Sequence, residues 1–212
     1  MDHEIDAGPF GAWLIEAAAV LRGTAGADVP CGSCVGCCVS SYFIPVRPED
    51  AAALARIPAD LLVRAPGQPA GQFMMGYRED GSCPMLVAQR CTIYADRPQT
   101  CRDYDCRIFA AAGIDAGGAD KQVINTRVRA WRFRYDSEAE RRAHDAVRRA
   151  AAFIRDRRDA FPGGRAPTAP TGIAVLALKA HTVFLDSLTA TRPEAEVAQA
   201  IVQASRAFDA AG

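Results

Sequence analysis

Histidine is scarce in this sequence: His3, His144 and His181 are the three among 212 residues, and no two lie near each other in the chain. Histidine ligands to a metal normally come in spaced groups, so each of these reads as a surface or helix histidine. A phosphate loop of the Gly-x4-Gly-Lys-Ser/Thr type is missing, and Gly113-Ile-Asp-Ala-Gly117-Gly118 lacks the preceding strand and following helix of a nucleotide site. Formal net charge is zero, so no global field gathers nucleic acid. The first residues, Met1-Asp-His-Glu-Ile-Asp6, are acidic where a secretory signal is basic, and Glu16 breaks the apolar stretch from Trp13 to Leu21. Lys179, His181 and Asp186 interrupt the apolar run between Gly172 and Leu188, which is too short and polar to span a membrane. These absences set the expectation of a cytoplasmic protein with no membrane partner.

Cysteine is absent beyond Cys106, yet eight cysteines lie between Cys31 and Cys106. Four are compressed into Cys31-Gly-Ser-Cys34-Val-Gly-Cys37-Cys38, and Cys83, Cys91, Cys101 and Cys106 follow. A disulfide framework needs an oxidising compartment and usually a small secreted domain, and neither fits this chain. Vicinal Cys37 and Cys38 cannot pair with each other without strain. A free thiol also packs as a small hydrophobe, but eight of them beside glycines, prolines and arginines do not read as core filler. Thiolates from separated segments converging on metal explain the pattern, and all eight are candidate ligands.

Which metal they would hold is less constrained. Cys31, Cys34 and Cys37 are evenly spaced, with Gly32 and Gly36 free to curl the backbone around sulfur. Three thiolates from one loop plus a remote fourth is a common way to hold a [4Fe-4S] cluster. The ferredoxin run then fails, because Cys38 follows at once where that run would place a cysteine after three residues and then proline. Zinc would take four thiolates in two knuckles, Cys31 with Cys34 and the slightly wide Cys101-x4-Cys106. An iron–sulfur cluster is the favoured cofactor, zinc the alternative, and another thiophilic metal such as Cu(I) the remainder.

The run Cys31-x2-Cys34-x2-Cys37-Cys38, then Cys83-Pro-Met-Leu, then Cys91-Thr-Ile-Tyr-Ala-Asp-Arg-Pro-Gln-Thr-Cys101-Arg-Asp-Tyr-Asp-Cys106 resembles the YkgJ-like cysteine-cluster family of zinc- or iron-chelating proteins. The resemblance covers residues 31–106 and implies metal chelation by these eight cysteines, but little about a reaction. A related cluster is associated with flagellin lysine methylases, which leaves room for a role beside an alkyl-transfer or redox site. Nothing else in the chain matches a methylase.

Around such a centre, Arg97-Pro98 sets a turn and Pro98 opens a short helix carrying Cys101 and Arg102. Arg97, Arg102 and Arg107 are candidates to offset thiolate charge, the alternative being surface pairing with Asp96, Asp103 and Asp105. Tyr94 and Tyr104 are candidates to wall the site from water.

The coarse layout predicts an α+β, mostly helical protein. A small β-hairpin and cysteine-rich, metal-organised loops (residues 1–120) pack with a basic strand and a helical C-terminal half (121–212) in one compact domain. Helices are expected over Phe10–Leu21, from Pro48, from Ser137 to about Ala160 with Ala139, Ala143, Val147, Ala150 and Ile154 inward, over Gly172–Leu188 and over Pro193–Ala210. Glu79-Asp80-Gly81 predicts a hairpin turn between Gln72–Tyr77 and Ser82–Val87 that delivers Cys83. Pro162 to Pro170 reads as a linker. Between Lys121 and Arg158 twelve basic residues face five acidic ones, and Arg127 to Tyr135 alternates arginine with aromatics. That pattern fits an amphipathic strand with a solvated basic face, or a surface for an acidic partner or nucleic acid. Three functions stay open: a metal or redox protein with an unidentified protein or small-molecule partner, an enzyme with an open metal position, and a structural zinc module contacting protein or nucleic acid.

Overall fold

The computed structural model describes residues 4–27, 29–64, 67 and 69–211. His3, named above among the histidines, lies outside them. The fold is α+β and mostly helical. Its elements are β1 (Ile5–Pro9), α1 (Phe10–Leu21), β2 (Ile44–Val46), α2 (Ala51–Arg56), β3 (Leu62–Arg64), β4 (Phe73–Met75), β5 (Leu86–Val87), β6 (Arg90–Cys91), α3 (Gln99–Asp103), α4 (Arg107–Ala112), α5 (Gln122–Ala130), β7 (Trp131–Arg134), α6 (Glu138–Asp156), α7 (Pro170–Ala180) and α8 (Glu194–Ala210). They divide into two compact units, one of residues Met1–Ala25, Cys106–Gly117 and Arg127–Gly212, the other of Gly26–Asp105 and Gly118–Thr126.

In the first, helical unit, β1 and β7 pair in parallel, with Ile5 opposite Trp131. The alternation seen in the sequence is realised only over Trp131–Arg134, because Arg127 to Ala130 complete helix α5. Trp131 turns inward, and the outward Arg132 and Arg134 pair with Glu4 and Asp6 at 2.9 and 3.2 Å. The amphipathic strand thus has a solvated face whose charges are largely matched. Helix α1 spans the expected residues, burying Phe10, Trp13 and Ala17, and Gly23 beyond its end takes φ 74°.

Helix α6 starts where expected: Ser137 Oγ accepts the Glu140 amide at 3.2 Å, and the Glu140 carboxylate accepts the Asp136 amide at 3.0 Å. This reciprocal cap satisfies two otherwise orphan donors. The helix ends at Asp156 rather than near Ala160, and a 3-10 turn follows over Arg158–Ala160. Its inward side is His144, Ala146, Val147, Ala150, Ala151 and Ile154, whereas Ala139 is exposed. Small residues on facing helices, Ala150 and Ala151 on α6 with Ala174 and Ala177 on α7, are fully buried and let backbones approach closely. The expected helix from Gly172 to Leu188 instead stops at Ala180 and continues as 3-10 turns over His181–Phe184 and Ser187–Thr191. His144 is buried rather than superficial, stacked on Phe10 at 4.5 Å between centroids, with Nδ1 2.6 Å from the Tyr135 hydroxyl.

The second, cysteine-bearing unit is built on a three-stranded antiparallel sheet of order β2-β4-β3. Its core is Val46, Ala53, Ile57, Met75, Met85 and Ile93. Helix α2 begins at Ala51, three residues beyond the expected proline start, and Asp50 closes the turn before it by accepting the Arg47 amide at 2.9 Å. The expected hairpin is redistributed. A turn does close at Gly81, but β4 pairs with β2 and β3, and the hairpin itself joins β5 to β6, delivering Cys91 instead of Cys83. Among the described residues no helix is long and apolar enough to cross a membrane.

Candidate metal centre

Cys31, Cys34, Cys37, Cys38, Cys83, Cys91 and Cys101 belong to the cysteine-bearing unit, and Cys106 to the helical unit. None of the eight is in a disulfide among the described residues. In the first motif the amide of Cys34 donates to the carbonyl of Cys31 at 2.9 Å, and the amide of Gly36 donates to Cys34 Sγ at 3.4 Å. A backbone amide aimed at sulfur is the kind of contact that supports a metal-bound thiolate. A 3-10 turn over Gly36–Val39 then sets Cys37 and Cys38 with their sulfurs 4.0 Å apart.

The second group is tied directly to the first. The amide of Cys83 donates to the carbonyl of Cys38 at 2.6 Å and that of Ser41 to Gly81 at 3.0 Å, joining the Cys37-Cys38 turn to the Cys83 loop. Arg78 holds that loop from the other side. Its guanidinium donates to Ser82 Oγ at 3.1 Å and to the carbonyls of Cys83, Pro84 and Leu86 at 2.8, 2.6 and 3.2 Å. Cys91 sits opposite Leu86 in the β5–β6 hairpin, and both Cys83 and Cys91 pack against the core that contains Met85 and Ile93. Cys101 rides on α3, fixed to β2 by Thr100 Oγ1 donating to the Pro45 carbonyl at 3.0 Å and to the turn before α2 by the Gln99 amide donating to Asp50 at 2.7 Å.

Electrostatics shows which thiols are neighbours. Burial pushes the pKa of Cys101 up to about 12, and repulsion from Cys37, Cys83 and Cys91 adds to the rise, with Arg97 pulling weakly the other way. Burial also raises Cys83, reinforced by Cys91 and Cys37, while the Met85 amide and Arg78 oppose it. The Cys37 thiol is raised first by its hydrogen bond with Cys38, then by the protein packed around its sulfur and by repulsion from the same neighbour, although part of the residue reaches the surface. Cys37, Cys83 and Cys91 are therefore neighbours of Cys101, and burial with nearby sulfur disfavours the ionised forms of Cys83 and Cys101 until a cation offsets it.

Among the described residues no group of three or more His, Cys, Asp or Glu side chains already stands so as to hold a metal ion. The chemistry of the set still fits a thiophilic metal: soft sulfur donors from four points of the chain gathered around Cys101 and Cys83, with backbone amides pointing at sulfur. The Cys37-Cys38 turn and the Cys83 loop are already joined by backbone hydrogen bonds.

The remaining candidates fall into distinct places. Arg97 donates to the Tyr94 carbonyl at 2.8 Å and covers the Tyr94 ring at 4.1 Å. Tyr94 is 63% exposed and gives no cover from water. Arg102 spends its guanidinium on the carbonyls of Arg97 and Ala95 at 3.0 and 2.9 Å, bracing the turn before α3. Arg107 is buried in the helical unit and donates to the Ala7 carbonyl at 3.2 Å. Asp96 and Asp103 take partners other than the expected arginines among the described residues, since Asp96 meets Arg56 at 3.0 Å and Asp103 accepts from Gln99 at 2.6 Å. Tyr104 and Tyr42 share a hydroxyl contact of 3.0 Å. Cys106 is buried, and the Trp131 indole donates to its sulfur at 3.3 Å.

Two supporting residues carry no signal in the cysteine motif. Arg78 is one, and Lys121 the other: its ammonium donates to the carbonyls of Ser40 and Ser41 and lies 4.3 Å from the Tyr42 ring centre. Both hold backbone that carries cysteines, and backbone carbonyls leave no trace in a residue pattern.

No curated protein and no solved structure matches this chain. The span that carries all eight cysteines, residues 30–125, matches the family model CxxCxxCC, described as "Putative zinc- or iron-chelating domain".

Proposed function

We propose that the protein binds iron, as an iron–sulfur cluster, through Cys37, Cys83, Cys91 and Cys101, and that Cys31, Cys34 and Cys38 supply the adjoining thiols of the same centre. One observation carries the reading: Cys101 lies within electrostatic reach of Cys37, Cys83 and Cys91, and Cys83 within reach of Cys91 and Cys37, so thiols from four points of the chain are neighbours. Deprotonated sulfur is the ligand form, so this set gains most from a cation that neutralises it. Bound there, a cluster supplies electron-transfer chemistry. The chain's own residues hold its surroundings: Arg78 keeps the Cys83 loop closed, Gly36 presents an amide to sulfur, and Arg97 places positive charge near Cys101. A single zinc site with four thiolate ligands is the second reading, favoured by the count of neighbouring thiols, which equals the coordination number of structural zinc.

The test is metal content in Cys→Ser variants at 37, 83, 91 and 101, each beside Cys106→Ser. A shared centre loses most of its metal in each of the four, and Cys106→Ser leaves it bound. Retention of metal in any two of the four would overturn this ligand set.

A further inference from the structure

The helical unit contains a cleft of about 640 Å³ that the cysteine centre does not explain. Its charged lining is Arg129, Arg132, Arg148, Arg155 and Arg158, with Asp115 the lone carboxylate. Its apolar lining includes Phe109, Val128, Trp131 and Ile173. This volume lies within the range of small-molecule sites.

The arginines differ in what they are doing. Arg129 forks onto Asp115, its Nε 3.0 Å from Oδ1. Arg132 is held by Glu4 at 2.9 Å and by the carbonyls of Arg129 and Trp131 at 2.6 and 2.9 Å. Arg155 forks onto Asp156 at 2.7 and 2.9 Å. The guanidiniums of Arg148 and Arg158 make no hydrogen bond or ion pair among the described residues, and both residues are exposed. Three guanidiniums are thus hydrogen-bonded to carboxylates, while Arg148 and Arg158 are not, Arg158 sharing only the field of the Asp156 carboxylate that Arg155 holds. This leaves the cleft with two guanidiniums open to a ligand.

We propose that this cleft binds a phosphorylated small molecule of nucleotide size, its phosphate taken by Arg148 and Arg158 and its remainder laid against the apolar walls. A phosphate monoester carries close to two negative charges at neutral pH, which matches the unpaired pair. Guanidinium is the side chain best suited to phosphate, forming paired charge-assisted hydrogen bonds. A long polyanion would need basic residues spread over an open surface, whereas here the unmatched charge is gathered within one concave site.

Titration calorimetry of the intact protein at low salt, with adenosine monophosphate as the probe, tests this directly; adenosine, inorganic phosphate and a short single-stranded oligonucleotide are the comparison arms. The expected result is adenosine monophosphate binding below about 1 mM, tighter than adenosine or inorganic phosphate. Arg148→Ala and Arg158→Ala should each weaken it about tenfold, with unaltered melting, and Arg142→Ala on the same helix as Arg148 but outside the cleft should leave it unchanged. Absence of binding by the mononucleotide, equal weakening by Arg142→Ala, or an oligonucleotide that binds far more tightly than the mononucleotide would each overturn the proposal, the last by showing a nucleic-acid surface instead.

Discussion

Replacing Arg78 by alanine isolates the support of the centre from its sulfurs. The side chain makes four hydrogen bonds, at 2.6 to 3.2 Å, to a segment that begins at Ser82 and ends at Leu86, with Cys83 inside it. A hydrogen bond from a charged group that stays partly in water is worth on the order of 0.5–1 kcal/mol net. Losing the set should therefore loosen the loop by about 2–4 kcal/mol. If that cost falls on the positioning of Cys83, metal affinity drops by roughly 30-fold or more, at about 1.4 kcal/mol per decade. Arg78→Lys keeps the charge but loses the fork, and should fall between alanine and the parent protein. The assay is metal retained after dialysis against graded chelator, alongside thermal melting. An alanine variant that holds metal at the same chelator concentration and melts at the same temperature would refute the assignment of Arg78 to the centre.

Other outcomes follow from single residues. Burial, helped by repulsion from Arg148, lowers the pKa of His144 from 6.5 to about 4. Above pH 6.5 it is neutral folded or unfolded; between pH 6.5 and 4 only the unfolded chain takes the proton, so stability falls as pH drops through this window and levels off below it, by about 2–3 kcal/mol in all. Urea unfolding at several pH values should show that slope, and His144→Phe should remove it. Gly81→Ala puts a Cβ 2.5 Å from Ser41 Oγ at a position with φ 80°, so it should destabilise the cysteine-bearing unit by about 1–2 kcal/mol and reduce metal retention. Cys106→Ser should lower the melting temperature, by loss of the buried contact with Trp131, while leaving metal content intact.

Much of the helical unit is legible in the sequence because its signals are local. Helix α1 carries its period and its terminal glycine, and α6 announces its start through Ser137 and Glu140. What fails is what depends on distant partners. His144 lies in a helix rich in arginine, and only the meeting of α1 and β7 with α6 supplies the Phe10 and Tyr135 rings that enclose it. The turn at Gly81 is readable, but not that Phe73–Met75 finds partners on both sides in β2 and β3. The β5–β6 turn uses Ala88 and Gln89 at φ 46° and 60°, without the Asn-Gly or Asp-Gly signal such turns usually show. Of the candidate site, residue type and spacing identify the eight cysteines. The nearness of Cys101 to Cys37, Cys83 and Cys91 depends on where the fold sets α3 against the turn, loop and hairpin that carry the other three.

The central claim stands or falls on iron and acid-labile sulfide, measured together with the visible spectrum on protein purified without oxygen. Iron with equimolar sulfide, in a brown protein that bleaches with dithionite, is the predicted result. A colourless protein carrying zinc and no sulfide would contradict it, and would make the four neighbouring thiols a structural zinc site instead.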